Sequence, residues 1–152
     1  MKYYEDFPVG WVRTFDDTYL VSEEEIREVG RRWDPQPFHV DPVAAADSAF
    51  GGLVASSANL FAIATGLGQV GARAAEPVAA VSALGFRNVV NHAPVRPGDV
   101  LHKSHEVLDT RLSNSRPGLG IIVNRVELAN QRDEPVFSLE IAALYECRPE
   151  TA

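Results

Sequence analysis

The sequence predicts an α+β fold, an antiparallel sheet of about five strands packed on one long helix. Three observations carry that expectation. A strand-like run near the start leads into helical segments. An apolar stretch rich in alanine and glycine occupies the middle of the chain. From Pro77 onward the pattern changes to alternating or β-branched runs divided by turn signals. The 152 residues fit one core rather than two, and no repeat, low-complexity tail or linker divides them, so residues 1–152 form a single domain.

Residues 11–21 are rich in aromatic and β-branched types and predict the first strand. Ser22, three residues before Glu25, reads as a capping box that opens a helix over Glu23 to Arg32. Ile26, Val29 and Trp33 give that helix an apolar face at spacings of three and four. Asp34-Pro35-Gln36-Pro37 ends it, because a residue before proline is pushed out of the helical region. Asp41 caps a second segment that starts at Pro42, and Phe50-Gly51-Gly52 breaks the chain again. The long helix is expected from Leu53 to Gln69, its end weakened by Gly66, Gly68 and Gly71. Residues 78–91, 99–110, 119–130 and 135–147 predict four further strands, the last with Phe137, Leu139, Ile141, Ala143 and Tyr145 on one face.

Composition narrows the function. The chain has 45% hydrophobic and 23% charged residues, and 21 acidic against 14 basic side chains give a net charge of −7. That balance excludes sequence-independent binding to nucleic acid or to an anionic membrane, both of which need a basic face. One cysteine, Cys147, permits no internal disulfide and suits a reducing cytoplasm. The N-terminus lacks a signal-peptide pattern, and polar residues interrupt the stretch from Leu53 to Val70 too often for a membrane span.

Asp34 and His39 are the residues that could carry chemistry. They lie five apart with two prolines between them, so a stiff segment can turn both side chains to one spot. An imidazole beside a carboxylate suits acid–base work on water near neutral pH. The same pair also fits a plain helix cap with a satisfied hydrogen bond, and the residues alone leave both readings open. His102 and His105, three apart on a strand, point to opposite faces and cannot share a metal ion, so both are expected to be solvated. His92, in the Asn91-His92-Ala93-Pro94 turn, reads as structural or exposed. No metal site and no nucleotide-phosphate loop is evident, and no cofactor is expected.

The segment Asp34-Pro35-Gln36-Pro37-Phe38-His39, with Ala45 six positions on, resembles the hydratase motif of the MaoC-like family. That family's pattern is Asp, any residue, Asn, Pro, an apolar residue and His, followed by Ala or Ser. Gln36 stands in place of the asparagine, and Trp33 in place of a preceding glycine. Phe50-Gly51-Gly52-Leu53-Val54-Ala55 is similar to the approach to the family's central helix, and Pro94-Val95-Arg96-Pro97-Gly98-Asp99 to its Pro-Val-x-x-Gly-Asp turn.

The resemblance implies a hotdog fold, a curved antiparallel sheet wrapped around a long central helix, assembled as a homodimer or a multiple of dimers. It implies addition of water to, or its removal from, a 2-enoyl/3-hydroxyacyl thioester, with acyl-CoA as the substrate. Asp34 and His39 would be catalytic, the backbone N–H of Ser57 an oxyanion donor, and Gln36 and Ser56 substrate-binding positions. Ser56-Ser57 replaces the family's His-Gly, which keeps the backbone donor and narrows the approach to it. Two other functions compete. A hotdog thioesterase needs a carboxylate on or near the central helix, and residues 53–70 contain neither Asp nor Glu. A non-catalytic acyl-binding subunit has no need of both Asp34 and His39. Arg87, Arg96, Arg111 and Arg116 are the cations that could meet CoA phosphates.

Overall fold

The computed structural model of the protein describes residues 1–68 and 77–149. Five strands form: β1 (Val12–Leu20), β2 (Ala80–Asn91), β3 (Val100–Leu112), β4 (Leu119–Ala129) and β5 (Pro135–Glu146). They make one antiparallel sheet in the order β1-β3-β4-β5-β2. β3, β4 and β5 follow one another through tight turns, while β1 and β2 take the two edges.

Helix α1 (Glu23–Trp33) starts where expected, the Ser22 hydroxyl accepting from the backbone N–H of Glu25 at 3.1 Å. The reciprocal half of the capping box does not form. The Glu25 carboxylate instead accepts from the Tyr19 hydroxyl at 2.7 Å and the Asn59 side-chain amide at 2.8 Å. This clamp ties β1 and α1 to the central helix, and burial followed by the nearby carboxylate pushes the Tyr19 phenol up to about 12. The buried face of α1 runs through Ile26 and Gly30, one turn apart. Trp33, expected on that face, is 67% exposed at the last residue of the helix, with the Arg32 guanidinium over its ring. Two short helices follow, α2 (Pro37–Val40) and α3 (Pro42–Ala46), the second capped by Asp41 as its sequence predicts.

The central helix, α4, spans Ser57–Gly66 and so begins four residues later than expected. Leu53, Val54 and Ala55 are buried and non-helical, the last two with their N–H groups engaged elsewhere. Val54 N–H donates to the Phe38 carbonyl and Ala55 N–H to that of Val95. After Gly66 the chain turns extended at Leu67, and Gly68 takes a φ of +79° directly against the Phe15 ring, where a side chain would collide. Gln69 and Gly71 lie outside the described residues.

Leu60, Ile63 and Ala64 of α4 pack on Val126, Leu128, Phe137 and Leu139 of the sheet, with Val21, Ile26, Val95 and Leu101 completing the core. Phe7, Val107 and Ile122 form a second buried cluster, joined by Trp11 and Tyr145. A sheet curved around one buried helix is the hotdog arrangement. On the opposite face a row of alternating charge crosses four strands, Glu106, Arg125, Glu140 and Arg87 standing opposite one another in register. Its end pairs close at 3.2 Å (Arg125–Glu106) and 2.7 Å (Arg87–Glu140).

His102 and His105 do point to opposite faces, but only one is solvated. His102 sits 3.3 Å from Asp133, half-exposed. His105 turns inward against Phe15, its Nε2 enclosed without a hydrogen-bond partner. Burial above all, then the charges of Lys103 and Arg13, press its pKa down to about 3. Lys103 beside it is buried, donates to the Leu67 carbonyl at 2.5 Å, and is lowered to about 8, chiefly by burial.

The unfolded chain therefore binds a proton at His105 below about pH 6.5 that the folded chain refuses until about pH 3. His105 imposes no cost above the higher value and a growing one below it, about 2 kcal/mol by about pH 5. Urea unfolding across this range should show His105→Leu with a flatter acid limb than the wild type.

Candidate active site

Asp34 terminates α1, its backbone N–H bonded to the Gly30 carbonyl at 2.9 Å. Pro35 prevents the helix from continuing and Pro37 restarts one, so α2 turns back onto α1. The two elements touch at Gly30. A Cβ there would stand 2.9 Å from the His39 carbonyl oxygen and 3.0 Å from the His39 Cβ, so this close approach requires glycine. The fold-back brings His39 Nε2 to 3.4 Å from Asp34 Oδ2. The segment is thus stiff, as two prolines require, and includes one helical turn.

His39 is buried, whereas the Asp34 side chain remains 39% exposed. His39 Nδ1 lies 2.7 Å from the Val54 carbonyl oxygen, which can only accept. Nδ1 therefore carries a proton, and Nε2 is the nitrogen left to exchange one. It faces the Asp34 carboxylate, so a protonated Nε2 finds a charge partner and a neutral Nε2 can take a proton from water.

His39 lines a cavity of about 290 Å³ with Phe38, Phe50, Val54, Leu60 and Val95 among its apolar walls. Ser57, the first residue of α4, stands at the same cavity. The Ser56 hydroxyl accepts from Asn59 N–H and the Ser56 carbonyl from Leu60 N–H, while the Ser57 and Ala58 N–H groups, at the positive end of the helix, have no hydrogen-bond partner among the described residues. Asp34 touches His39 from outside the lining. Gln36 is exposed, and Ser56 is wholly buried as the helix cap, so neither expected substrate-binding side chain reaches the cavity. Asn91 and His92 do reach it. Asn91 donates to the Ser57 hydroxyl at 2.8 Å, and His92 Nε2 lies 2.7 Å from the Ser138 hydroxyl. The sequence predicts His92 to be structural or exposed and gives Asn91 no role. The placement of both depends on the crossover of β2 to the far edge, which no local pattern reveals.

Among the described residues no group of three or more His, Cys, Asp or Glu side chains could hold a metal ion, and no helix is long and apolar enough to cross a membrane. The sequence model described as the MaoC like domain matches residues 8–127. The chain belongs to the MaoC-like family. A relative in Bacillus subtilis (strain 168), the uncharacterized protein YdeM, is 30% identical over 141 residues, covering 92% of this chain and 96% of its own. The solved MaoC-like dehydratase from Rhodospirillum rubrum is 34% identical, with a TM-score of 0.84 over 97% of this chain and 98% of that one. The 3R-hydroxyacyl-ACP dehydratase complex HadBC from Mycobacterium tuberculosis is 26% identical, with a TM-score of 0.71 over 90% and 96%. Membership and these neighbours support a hydratase or dehydratase activity.

Within this MaoC-like site, Glu25 is a carboxylate that approaches the central helix from another element. Both its oxygens are engaged by Tyr19 and Asn59, and it is absent from the cavity wall. Arg96 donates to the Phe50 carbonyl at 2.5 Å beside the mouth, while Arg87 is paired to Glu140. The residue the sequence reading overlooked entirely is Gly30, whose signal is a glycine on the buried face of an otherwise good helix.

Gly30→Ala tests how the pair is positioned. Better helix propensity would favour alanine by about 1 kcal/mol, but overpacking against a backbone carbonyl costs about 1–3 kcal/mol. A lowered melting temperature should be accompanied by a loss of activity larger than the loss of folded protein, since His39 moves with the displaced turn.

Proposed function

We propose that this protein adds water to, or removes it from, a 2-enoyl/3-hydroxyacyl thioester, acyl-CoA being the carrier, with Asp34 and His39 as the catalytic pair. The observation that carries the reading is the orientation of His39. Its Nδ1 is held by the Val54 carbonyl while Nε2 faces Asp34, at a cavity beside the free N–H groups of α4. A water held by the pair loses a proton to it as its oxygen bonds to the β-carbon. The electron pair of the double bond moves toward the thioester oxygen, where the backbone N–H of Ser57 stabilises the developing enolate. The pair then returns the proton to the α-carbon, and dehydration is the reverse. The apolar walls suit an uncharged acyl group. The 3R-hydroxyacyl-ACP dehydratase of Mycobacterium tuberculosis, similar over 96% of the solved chain, gives the same class of substrate for a relative.

Loss of the conjugated enoyl-thioester absorbance across a panel of acyl-CoAs tests the activity. Asp34→Asn and His39→Ala should each lower turnover by about 10²–10⁴-fold. The double variant should be scarcely worse than the poorer single one, since residues that act as a unit are not additive. A folded Asp34→Asn protein with full activity would remove this mechanism.

The working unit in this reading is a homodimer or a multiple of it. β2 is an edge strand of 12 residues, all of them exposed, and it presents Val81, Leu84, Phe86, Val89 and Val90. Phe86 continues onto Phe61 of α4 with ring centroids 4.9 Å apart. A long apolar edge of this kind invites pairing. Light scattering at micromolar concentration should give at least twice the 16.6 kDa of one chain.

A further inference from the structure

The Ser57 hydroxyl, as distinct from its backbone N–H, has no part in the reaction proposed above, yet it stands at the cavity in a defined hydrogen bond. Its partner is the Asn91 side-chain amide, which donates to Ser57 Oγ at 2.8 Å. A serine hydroxyl has one proton and two lone pairs. An amide N–H can only donate, so Oγ spends a lone pair on Asn91 and its own proton remains available. Asn91 is the last residue of β2 and Ser57 the first of α4, so the bond joins two walls of the cavity that also contains His39. The Oγ–H therefore does not point at the Asn91 amide and is available to an acceptor in the space between those walls. Among the described residues no hydrogen bond is donated by it.

We infer that the Ser57 hydroxyl is a second hydrogen-bond donor to the thioester oxygen of the substrate, and that Asn91 is the residue that positions it. The inference rests on the hydratase reading and adds to it. A thioester oxygen that becomes an enolate has lone pairs enough for both the N–H and the O–H of one serine. A donor fixed before the substrate arrives has no reorientation to undergo as charge develops, which favours the transition state over the bound substrate. The serine that replaces the family's glycine at this corner thus supplies a donor that glycine lacks, besides narrowing the approach.

Four variants distinguish the roles. Ser57→Ala keeps the backbone N–H and removes the hydroxyl, and should lower kcat by roughly 10–10²-fold with little change in KM, somewhat less than loss of a full oxyanion donor. Ser57→Thr keeps the hydroxyl and should retain most of the activity. Asn91→Asp is the diagnostic change, since a carboxylate only accepts and draws the hydroxyl proton away from the substrate. It should fall to the level of Ser57→Ala, and combining the two should lower kcat no further. The physical readout is the absorption band of a bound conjugated dienoyl thioester, which moves to longer wavelength when its carbonyl is polarised. That shift should be smaller in Ser57→Ala and in Asn91→Asp than in the wild type and in Ser57→Thr. Unchanged kcat and an unchanged band in Ser57→Ala would overturn the inference, as would full activity in Asn91→Asp. If the wild type hydrates no thioester, the underlying reading fails, and the band shift alone still decides whether Ser57 contacts the carbonyl. Should Ser57→Ala not fold, Ser57→Thr against Asn91→Asp gives the same comparison.

Discussion

Where the His39 carbonyl lies against Gly30, two short elements pass closer than any side chain would permit, and the position of the site follows from that contact. The pair at Asp34 and His39 is separated by only four residues, too few to form a loop that could search for its geometry. Two prolines remove most of the freedom that remains. The α2 turn must then lie on α1 wherever the last buried position of α1 allows, and a missing Cβ at position 30 is what allows it. From there the constraints propagate through backbone hydrogen bonds. Phe38 receives Val54, Val54 receives the His39 ring, and Val95 receives Ala55, so three segments far apart in sequence become one rigid frame. Rigid support of this kind holds a catalytic side chain more narrowly than a free loop can.

Much of the fold was legible because it depends on local chemistry. Strand boundaries fell within a few residues of turn signals, Ser22 and Asp41 capped the helices they precede, and the alternation of β5 placed Phe137, Leu139 and Ile141 on the buried side. The departures share a physical cause, which is that a distant partner outbid a local rule. Glu25 abandons its capping box for Tyr19 and Asn59. Leu53 to Ala55 look helical by composition, yet the N–H groups of Val54 and Ala55 are claimed by Phe38 and Val95. His105 looks like a surface histidine on a polar strand until Phe15 of β1 closes over it.

The site divides along the same line. Asp34, His39 and Ser57 were legible through a motif and its position at a helix start. The far wall was not, because Asn91 and His92 arrive there on a strand that pairs at the opposite edge from its sequence neighbours. Gln36 and Ser56, close in sequence to the proposed catalytic positions, do not share their surroundings: one is exposed and the other is a buried cap. Proximity along the chain was informative only where the backbone was already stiff.

β2 has a double role. Its central residues make up the uncovered apolar edge, and its last residue holds the serine at the cavity. A protein that docks along that edge and prefers one setting of the strand would, by linkage, change affinity for whatever fills the cavity by the same factor as the ligand changes docking. In that case assembly and the filling of the cavity would not be separate properties that happen to share a chain. They would be two ends of one twelve-residue lever.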